Sequence, residues 1–260
     1  MAFQTLLLDV QPPFAYLTLN RPERMNAMNF AMTGELLEAM LQINEMGDVR
    51  AIVISGAGGN FCVGGDLSDL QQPGLTPEEQ EHIVGRLDTV MRHINQSPKV
   101  VITKIQGAAL GGGFGLACVS DIAIAATTAE FGMPEVRLGL VPALISPYVI
   151  ERIGLARARL LMLTGTRFDG VSAHEYGVIN EVCPPEILDE CVQAVLDQIK
   201  LCSPTALAAC KQLIHTVTAQ SLDESLSYRA RLLNTLRLSP EGQEGMAAFR
   251  AKRPPTWTEE

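Results

Sequence analysis

The chain has 260 residues and a mass of 28.1 kDa, with 20 Lys and Arg against 29 Asp and Glu for a formal charge of −9. At this length about 70–75% of the unfolded surface can be buried, and 47% hydrophobic residues with 19% charged ones exclude a disordered or fibrous chain. The acidic balance argues against a nucleic-acid or anionic-membrane surface, so an anionic ligand has to be held by local groups.

In chain order, runs dense in Val, Ile and Leu predict strands over 5–10, 14–20, 51–55, 100–105 and 121–125. Between them, apolar spacing predicts a helix over 32–46 and another over 76–95. The second opens with Thr76, Pro77 and Glu79, a capping box with proline at the first helical position. Its Ile83, Val84, Leu87, Val90, Met91 and Ile94 follow helical spacing. Strands alternating with helices give an α/β class. After about residue 185 the pattern is helical only, with starts at Ser203-Pro204, Ser221 with Glu224, and Ser239-Pro240. We divide the chain into a core over 1–200 and a helical region over 201–260. The stripes Ile187, Leu188, Cys191, Val192, Val195, Leu196 and Leu222, Leu226, Leu232, Leu233, Leu236 read as core, with an oligomer interface as the alternative.

The start, MAFQTLLLDVQPP, has no basic n-region and only a short apolar run, so we expect no signal peptide and a cytoplasmic protein. The longest apolar stretch, 105–126, carries Gln106, Ser120, Asp121 and several glycines, which argues against a membrane span. Cysteines at 62, 118, 183, 191, 202 and 210 form no Cys-x-x-Cys pair, and reduced thiols are expected.

Two strands run straight into glycine-rich turns: 51–55 into GAGGNFCVGGD (56–66), and 100–105 into GAALGGGFG (107–115). Glycine lets a backbone N–H approach a ligand with no side chain between them. The second turn feeds a helical stretch, 112–119, whose first N–H groups are free and carry the positive end of the dipole. Two such turns aimed at one oxygen would make an oxyanion hole, while tight strand-to-helix packing would also explain the glycines. Neither turn fits G-x-G-x-x-G, and no phosphate-binding loop or G-x-S-x-G elbow occurs.

Histidines 82, 93, 174 and 215 lack ligand spacing, so no metal is expected. Glu135 is better placed. It follows a predicted strand and Pro134 in the apolar stretch FGMPEVRLGLVPALISPYVI, where its ionised form would be disfavoured and its pKa raised towards the range useful for proton transfer. Arg137 nearby is an alternative as its plain ion-pair partner.

Together, RPERMNAM (21–28), FCVGGDL (61–67), the glycines 107–115, Asp121-Ile122-Ala123, FGMPE (131–135), LGLVP (138–142) and the tail FRAKRP (249–254) resemble the enoyl-CoA hydratase/isomerase, or crotonase, family across essentially the whole chain. The resemblance implies a spiral of ββα repeats with a C-terminal helical trimerisation region, as a homotrimer or a dimer of trimers. It implies an acyl-CoA thioester substrate and no separate cofactor, coenzyme A being part of the substrate. Carried over, it makes the N–H groups of Gly65 and Gly112 the oxyanion donors. It runs the CoA along Arg24, Ala27, Met28, Gly64, Asp66 and Leu67, with Phe249 and Lys252 offered by a partner subunit's tail. Ser68 stands where many relatives carry a phosphate-contacting lysine. Residues 68–95 are expected to shape the acyl pocket.

Hydratases of that family use two glutamates 20 residues apart; Glu135 matches the second, and Gly115 stands at the first. Hydration needs a base for water and an acid for Cα, whereas shifting a double bond needs one group that takes and returns a proton. One carboxylate therefore points to a Δ3-Δ2 isomerase. A similarity of 111–116 and 138–149 to bacterial hydratases of branched glutaconyl-CoA points instead to an enoyl-CoA hydratase in which Glu135 protonates Cα and the substrate's distal carboxylate positions water. Hydratase is the first expectation and isomerase the alternative, with a catalytically lapsed acyl-CoA binder a third.

Overall fold

The computed structural model describes residues 3–70 and 76–258; the side chains of Leu70, Pro77, Gln80, His82, Ile83 and Val84 are also outside the description. The expected pocket contribution of 71–75 and the two stripe residues Ile83 and Val84 therefore lie outside the described residues. Among the described residues, nine strands form two sheets. The larger contains β1 (Leu6–Gln11), β2 (Phe14–Leu19), β3 (Ala51–Gly56), β4 (Val100–Ile105), β6 (Ile122–Ala126) and β9 (Glu181–Cys183), adjacent in that order. The smaller holds β5 (Ala108–Leu110), β7 (Glu130–Gly132) and β8 (Arg167–Asp169). The helices are α1 (Phe30–Asn44), α2 (Leu67–Leu70), α3 (Pro77–Asn95), α4 (Gly112–Val119), α5 (Ser146–Thr164), α6 (Gly170–Glu175), α7 (Leu188–Lys200), α8 (Pro204–Thr218), α9 (Leu222–Leu238) and α10 (Pro240–Ala251).

β1 and β2 form an antiparallel hairpin, and every later pairing in the large sheet is parallel. Parallel strands need helices on their faces, which is why Ile52, Val101, Ile102 and Ile124 are all fully buried. The predicted strands lie within a residue or two of the observed ones. The three-residue strands β5, β7, β8 and β9 went unpredicted because runs that short carry no periodicity.

Several helix starts are set by a capping side chain. Asn29 accepts from the Met32 N–H at 2.9 Å and starts α1 two residues earlier than the apolar spacing predicts. Thr76 with Glu79 and Ser221 with Glu224 form capping boxes for α3 and α9, and Ser203 and Ser239 cap α8 and α10.

The two apolar stripes part company. That of α7 is core: Leu188, Val192 and Leu196 are buried under β4 and β6. The α9 stripe is not core within one chain, since Leu222, Leu226 and Leu233 are 79%, 59% and 70% exposed. Among the described residues, the main packing partners of α9 are the neighbouring helices α8 and α10.

α8 is tied to the sheet by Lys211, which is 7% exposed. Its Nζ donates to Asp121 Oδ2 at 2.7 Å and to the Lys99 carbonyl at 2.9 Å, while Asp121 also accepts from the Val101 N–H at 2.7 Å. Burial pulls the Lys211 pKa down, so the ammonium depends on Asp121 to stay charged. Removing one partner of a buried pair costs more than the pair contributes. We expect Asp121→Ala to lower unfolding stability by about 3 kcal/mol in urea titrations. Lys211→Met should cost clearly less, because the carboxylate left behind reaches solvent.

Candidate active site

Three segments meet at the N-terminus of α4. The first is the turn 62–66, which hydrogen-bonds in two directions. Met28 N–H donates to the Gly64 carbonyl at 2.7 Å and Asp66 N–H to the Met28 carbonyl at 2.9 Å, in a parallel bridge between Met28 and Gly65. Because Met28 uses both neighbours of Gly65, the N–H of Gly65 points away from Met28. Nothing lies within 4 Å of where a Gly65 Cβ would stand. On the other side Cys62 N–H donates to the Ala108 carbonyl and Leu110 N–H to the Cys62 carbonyl, both at 2.9 Å, which seats the turn on β5.

The second segment is 110–113. Gly111 precedes α4 at φ +50, and no side chain caps the helix. All eight residues of α4 are buried, so its uncapped first-turn N–H groups present a positive helix end inside the protein. Gly64, at φ +98, lies against them: a Cβ there would come 3.1 Å from the Gly112 nitrogen and 3.1 Å from the Leu110 carbonyl. The two glycine turns expected from sequence are thus in backbone contact.

The third segment is the 3-10 turn Pro134–Leu138 after β7, which carries Glu135. A Cβ on Gly111 would stand 3.0 Å from Glu135 Oε1, so the carboxyl lies directly against the start of α4. Its Oε2 is buried with no hydrogen-bond partner. Burial raises the Glu135 pKa, outweighing a backbone hydrogen bond that acts to lower it. Arg137 is not its ion-pair partner: the guanidinium Nε donates to the Thr164 carbonyl at 3.1 Å and packs on Gly165. Phe114 of α4 meets Phe131 of β7 and Phe168 of β8 edge-on at 6.3 and 6.2 Å, which fixes the helix relative to the strand leading to Glu135.

Position 115 is closed. A Cβ on Gly115 would fall 2.3 Å from Ile145 Cγ2 and 3.2 Å from Met91 Cε. Gly112 is similarly walled by Met28 Cε and Leu87 Cδ2. The space beside Gly115, the position matching the first glutamate of the family's hydratases, is filled from another segment.

The remaining expected site residues spread around this centre. Ala27 and Met28 are buried beside the turn; Arg24 and Leu67 are exposed. Asp66 is engaged, with Oδ2 on Arg21 at 3.0 Å and Oδ1 accepting from Ser68 Oγ at 2.6 Å and N at 3.1 Å, and these contacts hold its pKa down. Ser68 therefore serves the turn itself. Phe249, 85% exposed, and Lys252 lie on the surface at the end of α10. Sequence reading missed two residues. Asn26 is fully buried and ties 21–28 to 56–60, its Nδ2 donating to the Ala57 and Asn60 carbonyls at 2.9 and 2.8 Å. Ile145 was hidden inside a uniformly apolar run. Among the described residues no group of three or more His, Cys, Asp or Glu side chains is placed to hold a metal, and no helix is long and apolar enough to cross a membrane.

A carboxyl of raised pKa beside free backbone donors can exchange a proton with a bound molecule while the donors hold a developing oxyanion. Its burial has a measurable cost. An acid whose folded-state pKa lies above its unfolded value stabilises the fold most when protonated, and that contribution is lost as pH rises through the folded value. Glu135→Gln should therefore melt higher than the parent at pH 7–8. The gap should shrink on acidification and vanish below the ordinary glutamate range of about 4, as followed by thermal melts across pH.

The enoyl-CoA hydratase/isomerase family profile matches residues 10–260. A 1,2-epoxyphenylacetyl-CoA isomerase of Escherichia coli is 33% identical over 97% of this chain and 98% of its own length. A probable enoyl-CoA hydratase of Mycobacterium bovis is 33% identical over 99% of each. The crystal structure of an enoyl-CoA hydratase/isomerase from Marinobacter aquaeolei superposes with a TM-score of 0.93 at 41% identity, covering 98% of this chain and 99% of that one. With the fold, the helix-end glycine contact and full-length matches in agreement, this chain belongs to the enoyl-CoA hydratase/isomerase family of enzymes.

Proposed function

We propose that the site binds the thioester carbonyl of an enoyl-CoA between the N–H groups of Gly65 and Gly112, and that Glu135 exchanges a proton with C-2 of the acyl group. The observation that carries this is the Glu135 carboxyl, buried with a partnerless oxygen against the uncapped start of α4. Each oxyanion donor contributes about 10²–10³-fold, and a positioned acid–base group about 10²–10⁴-fold.

Our first reading is hydration of a 2-enoyl-CoA. Water's oxygen bonds C-3, the π electrons move into the thioester as an enolate held by the two N–H groups, and protonated Glu135 delivers its proton to C-2. The proton lost by water returns to Glu135 through solvent. With no carboxylate at position 115, the distal carboxylate of a branched glutaconyl-CoA would position the water. The hydratase named among the relatives supports this reading. A second reading, Δ3-Δ2 isomerisation, is favoured by Ile145 filling position 115: Glu135 alone would remove a proton from C-2 and return it at C-4.

The CoA moiety would run along Arg24, Ala27, Met28, Gly64, Asp66 and Leu67, of which Arg24 and Leu67 offer exposed surface. The exposed Leu222, Leu226 and Leu233 of α9 support a homotrimer or a dimer of trimers, in which a partner's tail would bring Phe249 and Lys252 to the nucleotide. Light scattering should give three or six times 28.1 kDa; a monomer opposes the assembly.

One assay separates the reactions. Absorbance of the conjugated thioester should fall with crotonyl-CoA for a hydratase and rise with a 3-enoyl-CoA for an isomerase; no change with either refutes the proposal. Methylglutaconyl-CoA should be hydrated faster than crotonyl-CoA, and equal rates remove the substrate-carboxylate idea. Glu135→Gln should lower turnover at least about 10²-fold, and near-normal turnover sinks its assignment.

A further inference from the structure

Position 115 lies one turn beyond Gly112 on the same face of α4, and side chains on a helix lean back towards its N-terminus. A side chain at 115 would therefore reach towards the helix start, where the Gly112 N–H and the Glu135 carboxyl stand. That route is occupied. Ile145, 2% exposed, puts its Cγ2 at 2.3 Å and its Cβ at 3.0 Å from where the Cβ of residue 115 would be, and Met91, fully buried, closes the other side at 3.2 Å. Ile145 comes from the loop between the turn bearing Glu135 and α5, and its carbonyl anchors the start of that helix by accepting from the Val149 N–H at 3.0 Å. It is a β-branched side chain held by its own backbone in a packed interior, so it cannot swing aside as a lysine or methionine would.

We propose that Ile145 is a specificity-determining residue: it fills the volume through which a second acid–base group on α4 would reach the substrate, and so restricts the enzyme to reactions served by Glu135 as the single protein carboxyl. This rests on the proposed acyl-CoA site. Gly115→Glu in an unaltered background puts a side chain into Ile145. Gly115→Glu with Ile145→Ala gives the introduced carboxylate room. In the double variant, water would give its proton to the introduced carboxylate as its oxygen bonds C-3. The π electrons would pass into the thioester enolate, and Glu135 would protonate C-2. The two carboxyls then re-equilibrate through solvent, for a net addition of one water.

The test compares the parent, both single variants and the double variant for hydration of crotonyl-CoA, isomerisation of a 3-enoyl-CoA, and thermal midpoint. Gly115→Glu alone should melt lower than the parent with no gain in hydration. The double variant should recover part of that midpoint and hydrate crotonyl-CoA at least about 10²-fold faster than Ile145→Ala alone, the contribution of one general base. Isomerisation should change far less, so the ratio of the two reactions separates a reactive role from general damage. The proposal is overturned if Gly115→Glu alone melts and hydrates as the double variant does, since Ile145 would then exclude nothing. It is equally overturned if the double variant is folded yet gains no hydration. A parent inactive on both substrates refutes the proposed reaction, whereas the midpoints and the double-to-single hydration ratio still decide the role of Ile145.

Discussion

The structure depends on the approach of two backbones. The turn at Gly64 lies so close to the start of α4 that a single Cβ would come within 3.1 Å of the Gly112 nitrogen. Two constraints follow. The helix end has to stay uncapped, because no side chain fits between the turns, and the turns must be held by hydrogen bonds from outside the contact. Met28 supplies these on one side and β5 on the other. Asn26 and the Arg21–Asp66 pair then hold the loops that carry Met28 and Gly65.

An uncapped helix end inside a protein is an electrostatic feature awaiting a negative charge. The protein's own carboxyl nearby, Glu135, is not used to satisfy it. One of its oxygens has no partner, and burial favours its protonated form. The fold therefore carries two unfavourable local arrangements side by side, free donors and an unpartnered acid, each of which a bound thioester enolate would relieve. Stability given up at one point in this way is a common mark of a functional site.

The net charge of −9 does not oppose this arrangement. Backbone dipoles act over a few ångströms, and exposed charges beyond about 8–10 Å are screened at ordinary ionic strength. Asp66, the acid of the turn itself, is committed elsewhere, held by Arg21 and Ser68. An anionic substrate would meet a local field set by α4 and not by composition.

By itself the sequence determined the α/β class, the long strands, the helices α1, α3 and α7 to α10, the capped starts of α3, α8, α9 and α10, and both glycine turns, and it marked Glu135 as a candidate. Each is written in local chemistry: β-branched runs, capping residues, glycine, and an acid among apolar neighbours, whereas the long helix α5 is not. Only the tertiary structure decided three matters. The short strands of the second sheet exist through pairing, not propensity. The stripe on α9 has the pattern of the one on α7 yet stays exposed, because periodicity says which side is apolar but not whether anything of the same chain lies beneath it. Gly115 shows that an acid is missing, but that Ile145 fills its place depends on a contact between residues 30 positions apart. Such a contact is set by how α4 and the loop before α5 pack, which no local pattern records.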